Sequence, residues 1–273
     1  RWFLLDDEPL SFWNRLLNTM LREISRWTVR VIMLRPYTAL RARFGVEPED
    51  VFSSIRRTEA IVLLPGVWGI EPPRSLPPNF KVIHPILPSP AEQIADKAIA
   101  SFIDSDSCTY NQGLVLISFG TQASLSPSQV DRIARAVSSS PDYCFLWRLP
   151  RRNERPPDFR EDQLRNLFIA EWLPQNDLLG HPRMRAFVSH VGYGSLYEAA
   201  YHGVPLVGIP QFGDQDDSMQ RAVRSGWGIR LDKDRFTTLE LADAIQRAIS
   251  PPFRSRAKAW SRRVQAKSGV DEA

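Results

Sequence analysis

With 273 residues, 43% apolar and 24% charged, the chain is long enough for two ordinary cores and too apolar for a disordered segment. Its net charge of +4 is a tail property: residues 251–273 carry six Lys/Arg against two Asp/Glu, and the other 250 residues balance at 29 against 29. That distribution argues against a polyanion-binding body such as a nucleic-acid module.

No stretch of eighteen apolar residues is free of charge, so no membrane-spanning helix is expected in this chain. The opening "RWFLLDDEPL" is acidic where a secretory leader would be basic, and it lacks an initiator methionine, as expected of a piece of something longer. Cys108 and Cys144 show neither a zinc spacing nor a disulfide framework, and are expected as thiols in a core.

Leu10, Trp13, Leu17, Met20, Ile24, Trp27 and Val31 recur at three- and four-residue steps, the pattern of a long amphipathic helix. Arg22, Arg26 and Arg30 fall on another face, read as solvated in preference to lipid-facing. Two short β-like runs follow, "EAIVLL" and "KVIHPI". Eight of the 22 prolines lie between Pro65 and Pro90, so this region is expected to be loops ending in a linker at residues 86–112.

Beyond Gly113 strands and helices alternate: "LVLISFG", a helix over Pro127 to Ser139, "YCFLWRL", "NLFIAEW", "RAFVSHVG", a helix after Gly194, "PLVGIP", a helix through Ser218 to Arg224, "GIRLD", and a final helix over Thr238 to Ile249. Continuous apolar strands with helices between them predict a parallel sheet covered on both faces, a Rossmann-like α/β domain. Ligands of such sheets collect outside the carboxyl ends of the strands. The residues there are Gly120 and Thr121, Trp172 and Gln175, His190 and Gly192, and Asp214 and Gln215.

Within "SHVGYGSLYEA", a histidine at a strand end can donate to a phosphate oxygen, glycines admit close backbone approach, and the free amides near Gly194 and Ser195 favour an anion. Glu198 follows Ser195 by about 4.5 Å along the axis, where a carboxylate could accept from both hydroxyls of a ribose. Ser195-x-x-Glu198 also fits a capping box, in which the two side chains merely satisfy the helix's own amides.

The run "WLPQNDLLGHPRMRAFVSHVGYGSLYEAAYHGVPLVGIPQFGDQDD", residues 172–217, resembles the donor-binding signature of the UDP-glycosyltransferases, in wording closer to the animal branch than the plant one. "LVLISFGT" is similar to the strand and loop opening that family's C-terminal domain, while "FWNRLL" and "EPPRSLPPNFKVIHPI" resemble the latter part of its N-terminal domain. The resemblance implies a two-domain GT-B fold: residues 1–85 the latter part of the acceptor domain, 86–112 the linker, and 113–273 the UDP-sugar-binding domain. It implies that Trp172 stacks on uracil, Gln175 contacts the nucleoside and Glu198 holds the ribose. Thr121, His190, Gly192, Gly194 and Ser195 would hold the diphosphate, and Asp214 and Gln215 the transferred sugar. Neither a metal nor another cofactor is implied, the partners being a UDP-sugar and a small lipophilic acceptor.

Three positions depart from the family pattern: Val191 where glycine is usual, Gly194 where asparagine is frequent, and Gln211 where leucine is common. A β-branched Val191 is expected to crowd the loop near the phosphates. The family's catalytic histidine, oriented by an aspartate, stands early in the N-terminal domain. None of His84, His181, His190 and His202 matches it, so that pair is expected upstream of Arg1, and a crossing helix and, in animal members, an endoplasmic-reticulum membrane anchor after Ala273. Two other readings stay open: an inactive module that binds a UDP-sugar or a partner, and a GT-B enzyme using a different nucleotide.

Overall fold

The computed structural model describes residues 11–46, 61–73, 75–86, 88–149, 156, 159 and 164–273. Two compact units divide the chain, Arg1–Leu63 with Leu76–Lys81, and Leu64–Ser75 with Val82–Ala273.

In the first unit, helix α1 (Phe12–Thr28) runs through a π-helical turn (Val29–Leu34) into α2 (Arg35–Arg43), as the apolar spacing predicts. The wider turn lies just ahead of Pro36, which has no amide to continue the ladder. Trp13, Met20, Ile24 and Trp27 are exposed along it, and Leu10 lies outside the described residues. Arg22 and Arg26 meet Glu23 at 3.2 and 2.9 Å, in keeping with a solvated face.

Strands β1 (Val62–Pro65) and β2 (Phe80–Ile83) form a two-stranded sheet from the two expected apolar runs. Glu59 and Ala60 of the first run lie outside the described residues. The span expected to be loop and linker instead holds helices α3 (Lys97–Ile103) and α4 (Asp106–Thr109). Asp96 caps α3 by accepting from the amides of Ala98 at 2.8 Å and Ile99 at 3.2 Å, and Ile99 and Ile103, one turn apart, are buried. Cap and core contact sustain a helix too short to stand alone.

The remaining strands are β3 (Leu114–Ser118), β4 (Cys144–Arg148), β5 (Leu167–Ala170), β6 (Met184–Ser189), β7 (Leu206–Gly208) and β8 (Gly228–Arg230). They make one all-parallel sheet in the order β5-β4-β3-β6-β7-β8, which is the doubly wound order of a Rossmann fold. Every residue of β3 is buried: Leu114 and Leu116 face one core, Val115 and Ile117 the other. A strand covered twice has no polar face to alternate with, hence its continuous apolar run.

Helices α5 (Pro127–Ser138), α6 (Gln175–Leu179), α7 (Tyr193–His202), α8 (Gln215–Arg224), α9 (Thr238–Ile249), α10 (Pro251–Val264) and α11 (Gly269–Glu272) complete the unit. The chain does not stop its last helix at Ile249. Pro251 and Pro252, readable as breakers, occupy the first turn of α10, where a missing amide costs nothing. Trp260 of α10 donates to the Ser225 carbonyl at 3.2 Å, and Ala257 and Val264 are buried.

The cysteines are not free thiols. Cys108 and Cys144 form a disulfide with Cα atoms 5.6 Å apart, joining α4 to the first residue of β4. Both are fully buried, and a single bridge across 36 positions leaves no framework to read in sequence.

Candidate functional site

In the order β5-β4-β3-β6, the chain reverses its winding between β3 and β6, and folds of this order bind their ligands at that point, beyond the strands' carboxyl ends. Gly120 follows β3, Arg148 ends β4, Trp172 follows β5, and His190 follows β6.

His190 stands between two glycines. A Cβ on Gly120 would come within 2.7 Å of its ring, and one on Gly192 within 2.8 Å, so neither position has room for a side chain. Burial pushes the His190 pKa down, against an opposing backbone bond at Ser118 and the field of Asp214. An anion seated against this ring favours its charged form, so a diphosphate such as that of UDP-glucose, which does not titrate near neutrality, would be bound there with proton uptake. Between the depressed pKa of the free imidazole and the higher one beside an anion, affinity is expected to rise by up to about tenfold per pH unit as pH falls. Calorimetry across that window checks it: a flat profile for the parent, or a His190→Asn variant retaining the slope, excludes the imidazole as charge partner.

Helix α7 begins two residues earlier than its sequence suggests, at Tyr193, with Gly192 as its cap. Gly192 brings no side chain, and the first helical bond runs from the Leu196 amide to the Gly192 carbonyl at 2.9 Å. The amides of Gly194 and Ser195 thus precede the ladder, with partial positive charge at a helix start. A Cβ on Gly194 would meet nothing within 4 Å, so this turn faces open space.

This start also disposes of the capping box. Ser195 lies inside the helix, and Gln175 of α6 donates to its Oγ at 3.2 Å and also to Glu198 Oε2. Glu198 is partly buried, and burial raises its pKa while the Gln175 bond opposes the rise. The structure joins Gln175, Ser195 and Glu198 from two elements twenty residues apart in sequence.

Trp172 is 70% exposed, an open aromatic face at the sheet edge. The Arg148 guanidinium stands 5.8 Å from its ring centroid and donates to the Gly120 carbonyl, while Arg148 Nε is buried and meets no acceptor among the described residues. Arg148 is a further candidate that strand placement alone does not single out; its signal in the sequence is a charge near the end of the apolar run "YCFLWRL", at the same edge as Gly120.

Thr121 and Asp214 are exposed, Asp214 at the start of α8. Gln215 is buried, and its Oε1 accepts from the amides of Gln211 at 2.7 Å and Phe212 at 3.1 Å. The other histidines are held elsewhere: His84 on Glu272 at 3.0 Å, His202 on Asn176 at 3.0 Å, and His181 beside the Arg183 amide at 3.2 Å.

Val191 departs from expectation in kind. Its side chain is fully buried in the core with Leu196 and Met219 and does not project into the loop; the cost lies in a backbone φ of +58°, which β-branched residues rarely adopt. Val191→Ala loses core contact and keeps the strain, whereas Val191→Gly loses the contact and relieves it. In urea titrations Val191→Gly should therefore match or exceed Val191→Ala in stability, by about 1 kcal/mol, reversing the usual order of the two residues. A glycine variant clearly less stable than the alanine one would refute the strain.

The profile of the family described as "UDP-glucoronosyl and UDP-glucosyl transferase" matches residues 5–262. The chain is 34% identical over 260 residues to the 2-hydroxyacylsphingosine 1-beta-galactosyltransferase of Rattus norvegicus, covering 94% of this chain and 46% of that protein. It is 36% identical over 257 residues to the UDP-glucuronosyltransferase 2C1 of Oryctolagus cuniculus, covering 93% and 49%. The chain therefore spans about half the length of these curated relatives. Among solved structures, the glycosyltransferase of kitacinnamycin superposes with a TM-score of 0.72 at 20% identity, over 94% of this chain and 65% of that one. A UDP-glucose: anthocyanidin 3-O-glucosyltransferase in complex with UDP gives 0.62 at 24% identity, over 77% and 51%. The fold is that of the GT-B glycosyltransferases, and the chain belongs to the UDP-glucoronosyl and UDP-glucosyl transferase family.

Proposed function

We propose that the protein transfers a hexosyl group, glucose or glucuronate, from a UDP-sugar to a hydroxyl of a small lipophilic acceptor with inversion, this chain supplying the donor-binding half. Residues 1–85 then end the acceptor domain, 86–112 link, and 113–273 bind the donor. The observation that carries the reading is the convergence of His190, the uncapped start of α7 and the Gln175–Glu198 pair on one sheet edge, in a member of this family.

In this reading uracil stacks on Trp172 beside Arg148, and Gln175 and Glu198 hold the nucleoside. Thr121, His190 and the amides of Gly194 and Ser195 hold the diphosphate, while Asp214 and Gln215 hold the sugar. The acceptor oxygen bonds to the anomeric carbon as the bond from that carbon to the phosphate oxygen breaks. Charge developing on the leaving diphosphate is met by His190 and the helix start, with no metal assigned a part. The acceptor's proton goes to a base outside this chain, so the chain alone binds donor without turnover.

Thermal unfolding with a panel of nucleotides tests the reading. A ligand at about 100 times its Kd adds about 2.7 kcal/mol of stability, so UDP and one UDP-sugar should raise the Tm while ADP and GDP leave it unchanged. Equal shifts with ADP or GDP would remove the uridine assignment. Turnover of an alcohol or phenol by this chain alone would remove the assignment of the base.

A further inference from the structure

Glu71 is a buried carboxylate, 6% exposed, on the segment Leu64–Ser75 of the second compact unit. Its Oε1 lies 3.2 Å from the hydroxyls of both Tyr193 and Tyr197, and its Oε2 accepts from Arg221 Nε at 3.2 Å. The same segment holds the tyrosines through its backbone: Tyr193 donates to the Pro65 carbonyl, and the Val67 amide donates to the Tyr197 hydroxyl at 3.1 Å. A Cβ on Gly66 would sit 2.9 Å from Glu71 Cγ and 3.2 Å from each hydroxyl, so the cluster closes over a position without a side chain.

The two tyrosines belong to α7 and the arginine to α8. At 3.6 residues per turn, Tyr193 and Tyr197 share one face of α7, and Ser195 and Glu198 fall on roughly the opposite face. Tyr193 is also the first residue of that helix, directly before the Gly194 and Ser195 amides, and α8 begins at Gln215 beside Asp214. One carboxylate thus spans two helices, α7 and α8, that follow β6 and β7 at the carboxyl edge of the sheet. A buried ion pair of this kind is a poor source of stability, because desolvation offsets most of its attraction; its distinctive yield is a fixed geometry.

We propose that Glu71 is a positioning residue for the donor site, setting the α7 start that seats the diphosphate relative to the Asp214–Gln215 turn that holds the sugar. The proposal rests on the donor-site reading above. It predicts that loosening the clamp harms contacts at the phosphates and spares those to the nucleoside, which Trp172 and Gln175 make from outside α7 and Glu198 makes from the α7 face that Gln175 holds.

Glu71→Gln keeps the size and removes the charge facing Arg221, while Tyr193→Phe removes one hydroxyl from the start of α7. Both are tested in the protein carrying this chain, by calorimetry with uridine, UDP and UDP-glucose, and by amide hydrogen exchange at Leu196. Uridine affinity is expected to change by less than about twofold and UDP and UDP-glucose affinity to fall about tenfold, the size of one good hydrogen bond. Exchange at Leu196 should accelerate in both variants while α9 stays protected. Equal losses for uridine and UDP, or unchanged Leu196 exchange in both variants, overturn the proposal. Should the parent bind no UDP, the donor-site reading falls by itself, and the exchange rates alone decide whether Glu71 orders this helix start.

Discussion

Trp172→Ala is expected to weaken UDP binding by about 1–3 kcal/mol, the range for a base stacked on an aromatic side chain, and to leave stability nearly unchanged. The two halves of that expectation have separate grounds. A buried tryptophan cut to alanine typically costs about 3–5 kcal/mol of stability, but Trp172 is 70% exposed and fills no part of either core. It follows β5 at the sheet's carboxyl edge, with the Arg148 guanidinium 5.8 Å from the ring centroid, so base and cation can share the indole. Trp172→Phe, which keeps a π-face, should retain most of the affinity. Calorimetry with UDP and a melting curve decide the matter: unchanged affinity in a folded Trp172→Ala variant rejects the stacking role, and a large fall in Tm rejects the claim that this side chain is free of the core.

Glu198→Gln is expected to weaken UDP binding by about 1.5–3 kcal/mol, the worth of hydrogen bonds to a charged group, without loss of stability. A capping role is excluded by the start of α7 at Tyr193, which leaves Glu198 bonded to Gln175. The pH dependence has a definite sign. Burial raises the carboxyl pKa above the ordinary 4.5, so the folded state penalises the charged form; that penalty is present at neutral pH and vanishes as pH falls below 4.5. Glu198→Gln should accordingly be at least as stable as the parent near pH 7, with the difference shrinking in acid. A 2′-deoxy-UDP control removes one hydroxyl assigned to this carboxylate and should discriminate less in the variant than in the parent. An identical deoxy penalty in both proteins, or undiminished UDP affinity, ends the ribose assignment.

The sequence by itself determined the parallel sheet, because strands covered on both faces read as continuous apolar runs, as Leu114 to Ile117 do, and helices between such strands leave few other arrangements. It also placed Trp172, His190 and Asp214 at one edge, since residues that follow strands of a parallel sheet share an end. What it left to the tertiary structure depended on partners distant in the chain. Cys108 pairs with Cys144 across 36 positions, and two prolines at 251 and 252 start a helix because Ala257, Trp260 and Val264 find a surface to pack on. The capping alternative for Glu198 was local in sequence and fell to the start of α7 at Tyr193, with Gln175 arriving from another element to bond the carboxylate. Val191 reads as a bulky neighbour of the phosphates until its φ of +58° turns the side chain into the core. Glu71 had no local signal: its three partners lie 122 to 150 residues away, and only folding brings a carboxylate, two tyrosines and an arginine into hydrogen-bond range.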